Sequence, residues 1–215
     1  MSSIAEASNN YRFVVYNLND AMRLAESQTT FDIDRALLID DYDEKQIFLI
    51  TLRGTNQSLD KNDPLGIPTV MKAFFAKTNI YYESVKERIF AEIPQGASIV
   101  MIGHSLGGMI AQQIAADRTV KKNYKLLNVL AIGSPYVPIN GRECPLHRFA
   151  DKADVIPWLG FSVKANLRTA KPAFAYNGYI GKPVLAHTES YRDRSYWMRF
   201  DAMGEPFGRS RIALV

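Results

Sequence analysis

The 215-residue chain has one cysteine, Cys144, and three histidines. A lone cysteine excludes an intrachain disulfide and fits a reducing compartment without requiring one. Flanked by Glu143 and Pro145, it reads as a loop thiol. So few histidines and cysteines leave no zinc-ligand spacing, and no phosphate loop or nucleic-acid motif is present. No metal, organic cofactor or nucleic-acid partner is therefore expected. No apolar run reaches the roughly 18 residues of a membrane span. Residues 1–10 lack the basic and apolar regions of a secretory leader, so the expected location is cytoplasmic or reached by a signal-less route. Excess charge of one sign is also absent. The 26 Lys and Arg against 22 Asp and Glu give a net charge of +4, which a solvated face explains and which would also favour peripheral contact with an anionic lipid surface. There are no repeats and no low-complexity linker. The length fits one domain over residues 1–215, and nothing in the pattern fixes an oligomeric state.

What is present is organised around Ile102-Gly103-His104-Ser105-Leu106-Gly107-Gly108, a Gly-x-Ser-x-Gly pattern between an apolar run and a helical one. A serine hydroxyl is a poor nucleophile unless a base can reach it, and a tight strand-to-helix turn pushes the side chain out above a sheet. Glycines two residues either side remove side chains that would collide within such a turn. The turn also leaves the Leu106 amide at a helix N-terminus, placed to bind a developing oxyanion. Alone, the pentapeptide is equally a glycine-rich turn with an incidental serine.

The surrounding pattern supplies context. Residues 10–28 carry Tyr11, Val14, Val15, Leu18, Met22 and Ala25 at three- and four-residue steps, predicting one amphipathic helix. Residues 35–40 and 46–52 are strand-like and separated by a polar turn, predicting a hairpin. The second run ends in Arg53-Gly54-Thr55-Asn56, which offers either a donor at the sheet rim or an ordinary turn. Residues 60–77 read either as a lid or as a core helix after a long loop. Residues 81–93 have helical spacing, 97–102 form a buried strand, and the helix after Ser105 runs to about Arg118. A basic connection follows over 118–125. Strands are then expected at 126–132, closed by Gly133-Ser134-Pro135, and at 146–150. Beyond Trp158 the signal weakens to short apolar pieces around 161–167 and 174–179. This alternation implies an α/β fold with a mainly parallel sheet covered on both faces.

In hydrolases of this architecture the catalytic residues follow the order serine, acid, histidine. His104 is locked beside Ser105 in the turn, and His147 lies in a predicted strand before the preferred acid, which leaves His187. Between Ser105 and His187, Asp117 sits on the helix after Ser105 and Glu143 in the loop before the next strand. Asp151 and Asp154 both follow a strand, and Asp154 is preferred because Val155-Ile156-Pro157 can stiffen the loop behind it.

Taken in order, Leu52-Arg53-Gly54-Thr55, Gly103-His104-Ser105-Leu106-Gly107-Gly108, Gly133-Ser134-Pro135, Asp154-Val155-Ile156-Pro157 and His187 resemble the class 3 (fungal-type) lipases over about residues 36–191. The resemblance implies an α/β-hydrolase fold with Ser105, Asp154 and His187 as the triad. It also implies oxyanion contacts from the Thr55 amide and hydroxyl and the Leu106 amide, and a lid after the Arg-Gly-Thr strand. The expected activity is ester hydrolysis on a lipid or small ester, of lipase, phospholipase or carboxylesterase type, through an acyl-enzyme. Acyl transfer by the same triad and an inactive binding scaffold are the alternatives. Tyr136 and Pro138 replace the family's usual Arg and Gly, and the lid segment is short. A reduced lid suits a short-chain ester or a phospholipid better than interfacial triacylglycerol.

Overall fold

The computed structural model describes residues 11–159, 170–173 and 178–215. Eight strands form one sheet in the order β1-β8-β2-β3-β4-β5-β6-β7. These are β1 (Phe13–Val15), β2 (Phe31–Ile39), β3 (Glu44–Leu52), β4 (Ser98–His104), β5 (Lys125–Ile132), β6 (Leu146–Asp151), β7 (Ala170–Ala173) and β8 (Arg211–Leu214). From β3 to β7 all neighbours run parallel, whereas β1, β8, β2 and β3 pair antiparallel. The expected hairpin is present: Phe31 faces Leu52 at one end and Ile39 faces Glu44 at the other.

Helices cover both faces, because the central strands are apolar on both sides. Along β4, Val100 and Ile102 point into one core, and Ile99 and Met101 into the other. The first core lies under α1 (Leu18–Ser27), whose Leu18, Ala21, Met22 and Ala25 are buried, and includes Trp197 and Phe200. The second lies under α3 (Ile80–Glu92) and α4 (Leu106–Ala116), with α2 (Ile67–Phe74) at its edge.

Two expectations are corrected, and one gap is filled. The helix predicted over 10–28 begins only at Leu18. Its first part, Phe13-Val14-Val15, is an edge strand paired with β8. β-Branched Val14 and Val15 fit that role, and Asn17 starts the helix by accepting from the amides of Asn19 and Asp20. The basic connection over 118–125 contains a helix, α5 (Arg118–Asn123). Extended backbone at Asp117 ends α4, and its carboxylate caps the next turn through the amides of Thr119 and Val120. His187, to which the sequence assigned no element, lies on α6 (Pro183–Asp193), which buries only Ala186, Ser190 and Tyr191. So narrow an apolar stripe gives little helical signal. The apolar piece at 161–167 and residues 174–177 of the other lie outside the described residues.

Candidate active site

Ser105 ends β4 and starts α4 with φ 52° and ψ −117°. A positive φ costs a non-glycine residue about 1–3 kcal/mol, and it persists only where the surroundings enforce it. Here the glycines do so. A Cβ on Gly103 would lie 2.4 Å from the carbonyl carbon of Gly107, so strand and helix touch backbone to backbone. A Cβ on Gly107 would lie 2.3 Å from the Leu52 oxygen, so this glycine makes room for neighbouring β3 rather than for β4. Gly108 has the same need against Ser134, at 2.6 Å.

His187 Nε2 is 2.9 Å from Ser105 Oγ, and His187 Nδ1 is 2.8 Å from Asp154 Oδ2. The carboxylate of Asp154 is fully buried, and its Oδ1 accepts from the Ile156 amide. Asp151 is committed elsewhere: its side chain pairs with Arg194 and accepts from the Ala153 amide. Of the two carboxylates that the sequence offered, only Asp154 reaches the histidine.

The Thr55 and Leu106 positions both line a cavity of ≈ 380 Å³ that also holds Ser105 and His187. Among the described residues, neither amide donates to a backbone or side-chain acceptor. Gly54 brings the end of β3 against the elbow, since a Cβ there would stand 3.1 Å from the Ser105 Cβ. The Thr55 hydroxyl differs from its expected role. It donates to the Leu65 carbonyl at 2.6 Å and accepts from the Gln57 amide at 3.0 Å, so its proton is already engaged. The cavity walls are largely apolar, with Val70, Phe74, Met109, Val155, Leu159 and Val184 among the residues that line them. The segment at 60–77 therefore contributes through α2, which buries Ala73 against the core and turns Val70 and Phe74 to the cavity.

Two supporting residues escaped the sequence reading. Tyr191 is fully buried, donates its hydroxyl to Asp154 Oδ2 at 2.9 Å and accepts from the Asp151 amide at 2.8 Å. Burial, with the negative charge of Asp154, pushes its pKa well above the usual phenol value, which keeps the donor proton in place. The available signal was the four-residue spacing from His187, which puts both side chains on one face of a helix. Arg148 is also fully buried. It donates to the carbonyls of Ser134 at 2.8 Å and Pro157 at 2.9 Å, joining the loop after β5 to the loop that carries Asp154. Burial lowers its pKa to about 10. No sequence signal marks an arginine inside a strand as buried.

A comparison with individual curated proteins gives no match. The model of the family described as Lipase (class 3) matches residues 44–159, more than half of the chain, from β3 through the elbow to the loop after Asp154. With an eight-stranded, mostly parallel sheet and a serine elbow at its centre, the chain belongs to the class 3 lipases, a family of lipase-type ester hydrolases with the α/β-hydrolase fold.

Proposed function

We propose that this chain hydrolyses carboxylic esters with an apolar acyl group through an acyl-enzyme on Ser105. The observation that carries the reading is the hydrogen-bonded chain from buried Asp154 through His187 to Ser105, which opens on an apolar cavity. Ser105 Oγ attacks the ester carbonyl carbon while its proton passes to His187 Nε2. Asp154 fixes the ring so that Nδ1 keeps its proton, and stabilises the imidazolium. The amides of Thr55 and Leu106 take the oxyanion. Collapse breaks the bond to the alcohol, whose oxygen leaves with the proton from His187. Water then attacks the acyl carbon, gives a proton to His187, and the acid departs as Ser105 regains its hydrogen.

The cavity favours a fatty or other apolar acyl chain over a charged one, because desolvating a charge against Val70, Phe74 and Met109 is costly. The test is covalent labelling by a fluorophosphonate together with turnover of p-nitrophenyl esters of increasing chain length. Wild type is expected to gain one adduct on Ser105 and to turn over the esters. Ser105→Ala is expected to take no label and to lose about 10³-fold or more in kcat. Full turnover by that variant would refute the mechanism. Product analysis with an alcohol present separates hydrolysis from acyl transfer.

A further inference from the structure

The elbow itself holds a histidine, His104, which takes no part in the proposed reaction. Its side chain is nearly fully buried, in a slot made by two glycines. A Cβ on Gly54 would lie 3.0 Å from His104 Nδ1, and one on Gly133 would lie 3.3 Å from His104 Cδ2. The ring packs against that of His187 with centroids 4.7 Å apart. At one edge, Nδ1 is 2.5 Å from Oε1 of Glu26, which α1 extends toward the cavity wall. At the other edge, Nε2 is 3.2 Å from the backbone carbonyl oxygen of His187.

The protons can be counted. A carbonyl oxygen only accepts, so the contact to His187 requires a hydrogen on Nε2. With Nε2 protonated, Nδ1 faces Glu26 at hydrogen-bond distance only if a second proton lies between them, on the ring or on the carboxyl. If that proton is lost, the remaining one must choose. On Nδ1 it satisfies the carboxylate and leaves a lone pair facing the His187 carbonyl. On Nε2 it keeps the carbonyl and leaves a lone pair against a carboxylate.

We propose that Glu26 and His104 form a second acid–imidazole pair that clamps the backbone of His187, and that the clamp holds only while the pair keeps its shared proton. The proposal rests on His187 being the base for Ser105, and both members act through His187 as positioning residues. The other charged or titratable groups facing the pair are Arg53 beyond β3, Asp154 after β6, and His187 and Tyr191 on α6. Burial lowers the His104 pKa, opposed by its hydrogen bond to Glu26, and the Glu26 carboxyl, despite burial, is held below its usual range by the hydrogen bond to His104, so the pair releases its shared proton as pH rises from the acid range toward neutrality. The clamp is thus complete on the acid side and lost on the alkaline side. A side-chain amide at position 26 donates to Nδ1 without a titratable proton and keeps Nε2 protonated at every pH.

The experiment compares Glu26→Gln and His104→Phe with wild type, using a soluble p-nitrophenyl ester from about pH 4.5 to about pH 7.5. The ratio of kcat for Glu26→Gln to that of wild type is expected to rise about threefold or more across the range, with KM unchanged. His104→Phe keeps the ring but has no donor, and should lose about tenfold in kcat at the acid end and approach wild type as the clamp is lost. A flat ratio would overturn the proposal, as would a His104→Phe enzyme within twofold of wild type at the acid end. Should His104→Phe fail to fold, the Glu26→Gln ratio decides alone. Fluorophosphonate labelling of wild type separates the two levels: an unlabelled Ser105 refutes the hydrolase reading, whereas a labelled Ser105 with a flat ratio refutes only the clamp.

Discussion

Asp154 illustrates how much one carboxylate demands of its neighbours. Fully buried, it is satisfied by His187, Tyr191 and the Ile156 amide. Such a group is tolerable only when each lone pair finds a donor. Removing the Tyr191 hydroxyl breaks this shell without touching Ser105. Tyr191→Phe is expected to lower kcat about tenfold with little change in KM, because the lost interaction orients the base and does not touch substrate. It should also cost about 1–3 kcal/mol in urea unfolding, since the Asp151 amide loses its acceptor. A kcat equal to wild type would show that two donors suffice. Ser105, His187 and Asp154 were legible because residue type, chain order and the paucity of histidines narrowed the choice. Tyr191 was not, because a tyrosine on a weakly amphipathic helix looks the same whether its hydroxyl meets water or a buried carboxylate.

At the scale of elements, the elbow is a contact among three pieces of backbone: β3, β4 and α4. Gly107 sits where α4 crosses the end of β3, within 2.3 Å of the Leu52 oxygen once a Cβ is added. Neither partner is a flexible side chain, so the helix start would have to move. Gly107→Ala should destabilise the fold by about 3 kcal/mol or more and depress soluble yield, read by thermal unfolding. A normal melting temperature would mean that α4 shifts freely on the sheet. The sequence marked this glycine correctly but not the strand it lies against, because a linear pattern cannot say which strand lies beside which. The same blindness joined β1 to α1. Val14 and Val15 meet the helical period by coincidence, and pairing with β8, nearly 200 residues later, overrides it. α1 in turn ties the N-terminal region to the helix that carries His187, since Asn19 Nδ2 donates to the Tyr191 carbonyl at 2.8 Å.

For the molecule as a whole, the antiparallel half of the sheet is closed by its last strand, with Ile212, Ala213 and Leu214 buried between β1 and β2. On the opposite side of the central strands, His147 of β6 accepts from Lys171 through Nδ1 at 2.8 Å and so is held neutral. Burial, then the Lys171 charge, keep its pKa below the ordinary value. An unfolded histidine protonates near pH 6.5. His147 therefore contributes stability that is complete above that value and is lost as the pH falls through it toward the lower folded value. Between about pH 7.5 and about pH 5, the melting temperature of His147→Gln should fall less steeply than that of wild type. Parallel slopes would place the acid sensitivity elsewhere. By itself the chain determined the α/β class, the elbow and the order of serine, acid and histidine, because strand and helix periods, glycine at tight turns and the chemistry of serine activation are local properties of residue type. The tertiary structure decided what depends on distant chain meeting: that β1 is a strand, that Asp154 and not Asp151 faces His187, that the Thr55 hydroxyl is engaged by Leu65, and that Glu26 and Tyr191 stand behind the two histidines. Hydrogen-bond reach is only about 3 Å, and no spacing in sequence reports it for residues tens of positions apart.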